Sequence, residues 1–364
     1  MSENEKSPDI LAGVQGASFV GSHSFVASDF DFTSSATLSQ LYPDELEQKF
    51  IPKKKASLLL SDSYFRLDDK KRAHRVHECG SFLEFGFPIL SSGGVGDPKL
   101  KLANFCYDRL CPMCGWRREK KIFSQVSAIM DQVYKDYRFI FLTLTVPNCQ
   151  PDDLSFTITY LMESWARFVR QKRFKTSVKG YFRALEVTRN KKNGSFHPHF
   201  HCILAVPLTF TLDRSLYIPH AEWLDMWRRA AKDVRITMVN VKFIRPRAHF
   251  ASSICDQHYL DAVSAAVSEV AKYTVKSSHY LFEDSELTDF VVSRLASALR
   301  GRRLVHLGGI FREVAKKLKL DDMENGDLLN IDGEEIREDL QELIVAYSWG
   351  IGCYKVSGFY KKGV

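Results

Sequence analysis

A chain of 364 residues, 45% of them hydrophobic, holds enough apolar material for one to three globular domains. No apolar run reaches bilayer length, and no basic stretch followed by an apolar block opens the chain, so neither a membrane span nor a secretory leader is expected and the setting reads as cytoplasmic. The net charge of +7 conceals a division: residues 51–320 carry 45 Lys/Arg against 26 Asp/Glu, while 1–50 and 321–342 are acidic. A middle region at +19 suits a polyanion, nucleic acid above all, although a soluble basic surface has the same composition.

Residues 1–50, acidic and Ser-rich without lasting periodicity, are expected to form a disordered tail. Residues 51–134 hold four clustered cysteines, Cys79, Cys106, Cys111 and Cys114. In a cytosolic chain such a cluster favours metal over disulfides, and a C-x-x-C pair with two further thiolates is the pattern of a tetrahedral structural zinc. The basic turn that follows, Trp116-Arg117-Arg118-Glu119-Lys120-Lys121, opens a helix to about Tyr134 that suits either phosphates or solvent.

The stretch 138–146 is rich in β-branched and aromatic residues and reads as a strand, with Leu142, Leu144 and Val146 on one face and Thr143 and Thr145 on the other. A helix over 153–171 leads to the basic Lys172-Arg173 and a second strand, 181–188. Asn193-Gly194 signals a hairpin into the third strand, where His197, His199 and His201 alternate and therefore share a face. With Asn193 and Gly194 as the two central turn residues, Glu186 faces His201 and Thr188 faces His199. Three imidazoles beside a carboxylate point to a divalent-metal site, with His197, at the strand's start, the least secure of the three. An amphipathic helix (222–232) and a fourth strand (234–244) complete the order strand–helix–strand–strand–helix–strand. That is the α+β, ferredoxin-like plan: an antiparallel sheet with helices on one face and the histidines on the open one.

A helix over 260–276 sets Glu269 four residues before Tyr273 and Lys272 four before Lys276, each pair on one face. A tyrosine hydroxyl, with a free pKa near 10, needs metal or cations to act as a nucleophile. Residues 135–320 thus read as one catalytic domain. Residues 321–364 read as an acidic C-terminal segment, a loop and helix packed on that domain or following it.

Phe141-Leu142-Thr143-Leu144-Thr145-Val146-Pro147-Asn148, His197-Pro198-His199-Phe200-His201 and Lys272-Tyr273-Thr274-Val275-Lys276, in that order, resemble the three motifs of the HUH endonucleases. More narrowly they resemble the rolling-circle plasmid replication initiators, the Rep family. The upstream cysteines and Gly308-Gly309-Ile310-Phe311 fit the same family, and the likeness covers roughly 55–355. The resemblance implies that His199 and His201 bind Mn²⁺ or Mg²⁺, with Glu186 as an added ligand, beside the structural Zn²⁺. Tyr273 would nick one strand of plasmid origin DNA, keeping the 5′-phosphate and freeing a 3′-hydroxyl for a host polymerase and helicase. Glu269 would activate water at termination, and Lys276 would stabilise the phenolate or phosphate. Arg117, Arg118, Lys120, Lys172, Arg173 and Arg245 are the expected DNA contacts; a homodimer is compatible with the family, and no membrane is. Two other readings stay in play: an HUH transposase or relaxase, and a non-catalytic zinc-containing DNA-binding regulator.

Overall fold

The computed structural model describes residues 41–91, 94–244, 256–271, 274–331 and 341–362, with the backbone alone over 256–262. Order begins before residue 51. Leu41, Leu46 and Phe50 are buried, and the Phe50 ring meets Phe85 and Trp116 edge-on at 5.7 and 5.0 Å. The expected tail therefore gives up residues 41–50 to the core.

Helices α1 (Ile51–Arg66) and α2 (Lys70–Glu78) lead into strands β1 (Phe82–Pro88) and β2 (Lys99–Ala103), followed by the long helix α3 (Pro112–Val133). Helix α3 starts at Pro112, four residues ahead of Trp116, because proline suits a first helical position where no N–H is needed. The sheet begun by β1 and β2 is completed from the far end of the chain. Strands β8 (Glu342–Trp349) and β9 (Tyr354–Lys362) give the order β2-β1-β8-β9, with β8 antiparallel to β1 from Phe82↔Ser348 to Pro88↔Glu342. The C-terminal segment thus belongs to the cysteine-bearing module as much as to the rest. Its residues 321–331 form turns instead of a helix, and 332–340 lie outside the described residues.

The second sheet carries His197, His199 and His201. Strands β3 (Tyr137–Thr145), β4 (Gly180–Arg189), β5 (Phe196–Pro207) and β6 (Val239–Phe243) alternate with helices α4 (Leu154–Arg170), α5 (Lys172–Ser177) and α6 (His220–Ala231). Edge strand β7 (Val305–Gly309) gives the order β6-β3-β5-β4-β7, every pair antiparallel. This is the expected strand–helix–strand–strand–helix–strand plan with one added strand. Gly308 and Gly309 end that strand for steric reasons. A Cβ on Gly308 would lie 2.2 Å from the Tyr181 ring, and one on Gly309 (φ +56°) would lie 2.1 Å from the Lys179 carbonyl oxygen.

Alternation along each strand divides the core. Leu142, Leu185, Phe200 and Leu204 join α4 and α6 on one face, where Trp165 and Phe168 sit. Phe139, Phe182, Ile203 and Ala205 face the other way, onto α3, α7 (Asp256–Ala271) and α9 (Ile310–Lys317). The histidine face is therefore not open as expected. It is roofed by helices over most of its length, and the histidines occupy its uncovered end. Helix α8 (Ser285–Leu299) packs on α1 and α4, joining the two modules. Among the described residues no helix is long and apolar enough to cross a membrane.

Candidate active site

Glu186, His199 and His201 come together on β4 and β5, their ligand atoms within 4.8 Å of one another. The hairpin register differs from expectation by two residues: Glu186 lies opposite His199, and Thr188 opposite His197. The cause is the loop. Asn190 pairs with Ser195 around four residues, Lys191 to Gly194, with Gly194 at φ +73° and Asn193 Oδ1 accepting from the Ser195 N–H. Because strand side chains repeat every two residues, a slip of two keeps Glu186 on the histidine face.

The geometry is that of a shared cation. His199 Nε2 and His201 Nε2 are 3.1 Å apart, and Glu186 Oε2 lies 2.9 Å from His201 Nε2 and 3.4 Å from His199 Nε2. Neighbouring ligands of an octahedral ion, about 2.1 Å from the centre, are separated by about 3 Å, so the donor set fits one. Each imidazole is aimed by its second nitrogen. His199 Nδ1 lies 3.0 Å from the His197 carbonyl, to which it donates, and His201 Nδ1 lies 3.2 Å from Thr143 Oγ1. Burial alone would raise the Glu186 pKa, but its bonds to His199 and His201 reverse this and hold the carboxyl well below the usual carboxylate range. His197 stands apart. Its ring stacks on His199 at 4.9 Å, and burial, with His199 adding to it, pushes its pKa down to about 4. Its contribution to the group is the main-chain carbonyl.

Helix α7 crosses this face over Ala184, Ile203 and Ala205. Its described part runs to Ala271, and at Lys276 the backbone is extended (φ −70°, ψ 142°). Tyr273, Lys272 and Arg245 lie outside the described residues. The next residue is tied to the site: the Thr274 carbonyl accepts from the Val187 N–H at 2.8 Å, one position from Glu186. Glu269 is half-buried in the last turn of α7, and Lys276 is exposed. Tyr280, the other tyrosine nearby, is buried with its hydroxyl donating to the Leu110 carbonyl, which removes it as a nucleophile. His279 is a neighbour that strand periodicity could not reveal. Its Nδ1 accepts the Arg189 N–H at 3.3 Å, and burial lowers its pKa against the pull of Glu186.

The four cysteines form a second, closed centre. Cys79 ends α2, Cys106 follows β2, Cys111 caps α3 and Cys114 lies in its first turn. All four are buried, with Sγ–Sγ separations of 3.5 Å (Cys79–Cys114 and Cys79–Cys111) and 3.7 Å (Cys106–Cys114). Four thiolates about 2.3 Å from a tetrahedral zinc lie about 3.8 Å apart, so Cys79 completes a set that fits. The Cys106 and Asp108 N–H groups donate to Cys79 Sγ and Cys106 Sγ, each at 3.4 Å. The buried Lys54 ammonium donates to the Cys79 carbonyl at 3.0 Å; burial lowers its pKa, and the nearby thiols oppose that shift.

Two of the expected DNA-contacting cations are buried within the fold. Arg117 is buried and donates to the Leu328 and Leu329 carbonyls, both at 2.8 Å. Arg118, also buried, donates to the carbonyls of Glu324, Asp108 and Tyr107. These guanidiniums fasten residues 324–329 to α3. Lys120 pairs with Glu45 at 2.7 Å, and Arg173 with Glu222 at 2.8 Å, whereas Lys172 is exposed.

Residues 97–355 match the family described as replication protein. The chain is 35% identical over 318 residues to a Protein rep of Bacillus amyloliquefaciens, covering 83% of this chain and 92% of that one. It is 31% identical over 313 residues to a Protein rep of Lactiplantibacillus plantarum, covering 84% and 94%. A Protein rep of Streptococcus pneumoniae is 33% identical over 282 residues, covering 76% and 82%. No solved structure matches.

Proposed function

The chain belongs to the Rep family of replication proteins, initiators of rolling-circle plasmid replication, and from that premise we propose that it nicks one strand of its plasmid origin through Tyr273. The observation that supports this most is the Glu186–His199–His201 cluster with residue 274 bonded to the strand beside it. A Mn²⁺ or Mg²⁺ ion held by those three residues would polarise the scissile phosphate and neutralise the charge developing on it. The Tyr273 hydroxyl attacks phosphorus and gives up its proton to solvent water, which returns one to the departing 3′-oxygen. The bond to the 3′-oxygen breaks, leaving a 5′-phosphotyrosine and a free 3′-hydroxyl from which a host polymerase, with a host helicase, extends the strand.

Lys276 supplies positive charge near the phosphate. Glu269, in the last turn of α7, takes a proton from water in the terminating hydrolysis, a role worth about 10²-fold or more for a positioned base. Cys79, Cys106, Cys111 and Cys114 would hold Zn²⁺ as a structural ion. On this reading residues 51–134 and the strands of 342–362 form the DNA-contacting scaffold, with Lys172 and Arg245 as outlying phosphate contacts and 135–320 as the nickase. The test is relaxation of supercoiled origin plasmid in Mn²⁺. The His199→Ala and Glu186→Ala proteins should nick about a thousandfold more slowly, several kcal/mol of lost charge stabilisation at about 1.4 kcal/mol per decade. Wild-type rates in either variant would remove the cluster from catalysis.

A further inference from the structure

Tyr107 is a residue that the Cys₄ centre does not account for. Its φ is +56°, a left-handed backbone that glycine or asparagine adopts readily and an aromatic residue does not. The turn itself is required, since it carries the Asp108 N–H to Cys106 Sγ at 3.4 Å. Glycine would meet that demand without strain, so the turn by itself does not call for a tyrosine ring. Tyr107 is 44% exposed.

Tyr107 lines a cleft of about 440 Å³ between α2, the Cys106–Cys111 loop and the end of α8, a size that takes about one nucleotide. Lys71, Arg75, Arg109 and Arg300 line it. Its two carboxylates are already committed. Asp69 caps α2 by accepting the Arg72 N–H at 3.3 Å. Asp108 is buried and accepts from Arg72 at 2.5 Å and the Leu110 N–H at 2.9 Å. Lys71, Arg75 and Arg300 are exposed. The cleft also connects to the active site, because the Tyr280 hydroxyl donates to Leu110 and so pins this loop to the segment that follows residue 274.

We propose that this cleft binds single-stranded DNA, with phosphates on Lys71, Arg75 and Arg300 and one unpaired base stacked on Tyr107. A basic groove with an exposed aromatic face suits an unstacked base, because a duplex keeps its base faces covered. The inference rests on the reading that the protein acts on origin DNA, and it adds a strand-holding site apart from the nicking centre.

The test measures fluorescence anisotropy of a labelled single-stranded origin oligonucleotide, and of its duplex, with the full-length protein. Tyr107→Asn, which suits the left-handed backbone, should melt no lower than wild type yet bind the single strand about tenfold more weakly, whereas Tyr107→Phe should bind as wild type. The Lys71→Ala/Arg75→Ala/Arg300→Ala protein should lose about 2 from its log–log salt slope, about 0.7 per phosphate contact on a single strand. Wild-type affinity in Tyr107→Asn and an unchanged slope in the triple variant would overturn the proposal. So would losses confined to the duplex. His199→Ala separates the two readings: it should stop nicking while keeping wild-type binding. Normal binding by the cleft variants alongside inactive His199→Ala would remove the cleft and leave the nicking centre standing.

Discussion

The two candidate metal centres differ in every respect that separates architecture from chemistry. The Cys₄ centre takes four buried ligands from three separate segments, the end of α2, the loop after β2 and the start of α3. The Glu186–His199–His201 centre takes three ligands from two strands already paired along their length, and two of the three are only partly buried. A full ligand set in a dry site leaves no position for substrate, whereas three ligands on a preformed sheet leave coordination sites free. The first centre should therefore be required for folding and the second for turnover.

The largest expected effect comes from breaking the closed centre. Cys111→Ser should abolish cooperative folding and zinc content, because apparent zinc binding of about 10–16 kcal/mol matches or exceeds the whole stability of a domain. A cooperative melt near the wild-type temperature, read by circular dichroism, would contradict this. Arg118→Ala should cost about 2–4 kcal/mol in urea unfolding, since three main-chain carbonyls lose a buried cation. If Arg118 instead met DNA, its loss would flatten the salt dependence of binding and spare stability.

Thr143→Val should reduce metal affinity or nicking by about 10–100-fold with little change in melting, as expected for an orienting partner of a ligand imidazole. Equal loss of stability and activity would make Thr143 a packing residue only. The smallest effect lies away from both centres. Burial, aided by Arg183, Arg303 and Arg312, lowers the His306 pKa. The unfolded chain then binds the extra proton first, so this contribution is present above about pH 6.5 and is lost as pH falls toward the folded value. His306→Phe should flatten the stability–pH curve below pH 6.5; an unchanged slope would assign the acid sensitivity elsewhere.

Much of the site was legible because strand periodicity is robust. Alternation alone put His199, His201 and Glu186 on one face, and it kept them there when the Asn193-Gly194 loop proved two residues longer than a tight turn. C-x-x-C spacing named two members of the buried thiol cluster directly and suggested the others. What stayed hidden depended on distant partners. Arg117 and Arg118 read as a basic turn for phosphate, yet carbonyls some 200 positions away cover them. Pairing of β8 with β1 joins residues about 260 apart, and nothing local in either strand names its partner. Thr143 was already on the correct face of its strand; only the pairing Thr143↔His201 gave it a role.

Peptide mapping of the covalent protein–DNA adduct tests the central claim most directly. Incubation with single-stranded origin oligonucleotide and Mn²⁺ should give one 5′-linked adduct, on the peptide containing Tyr273. It should be absent from Tyr273→Phe and retained by a folded Tyr280→Phe. An adduct that persists undiminished in Tyr273→Phe, or that maps to another residue, would contradict the account.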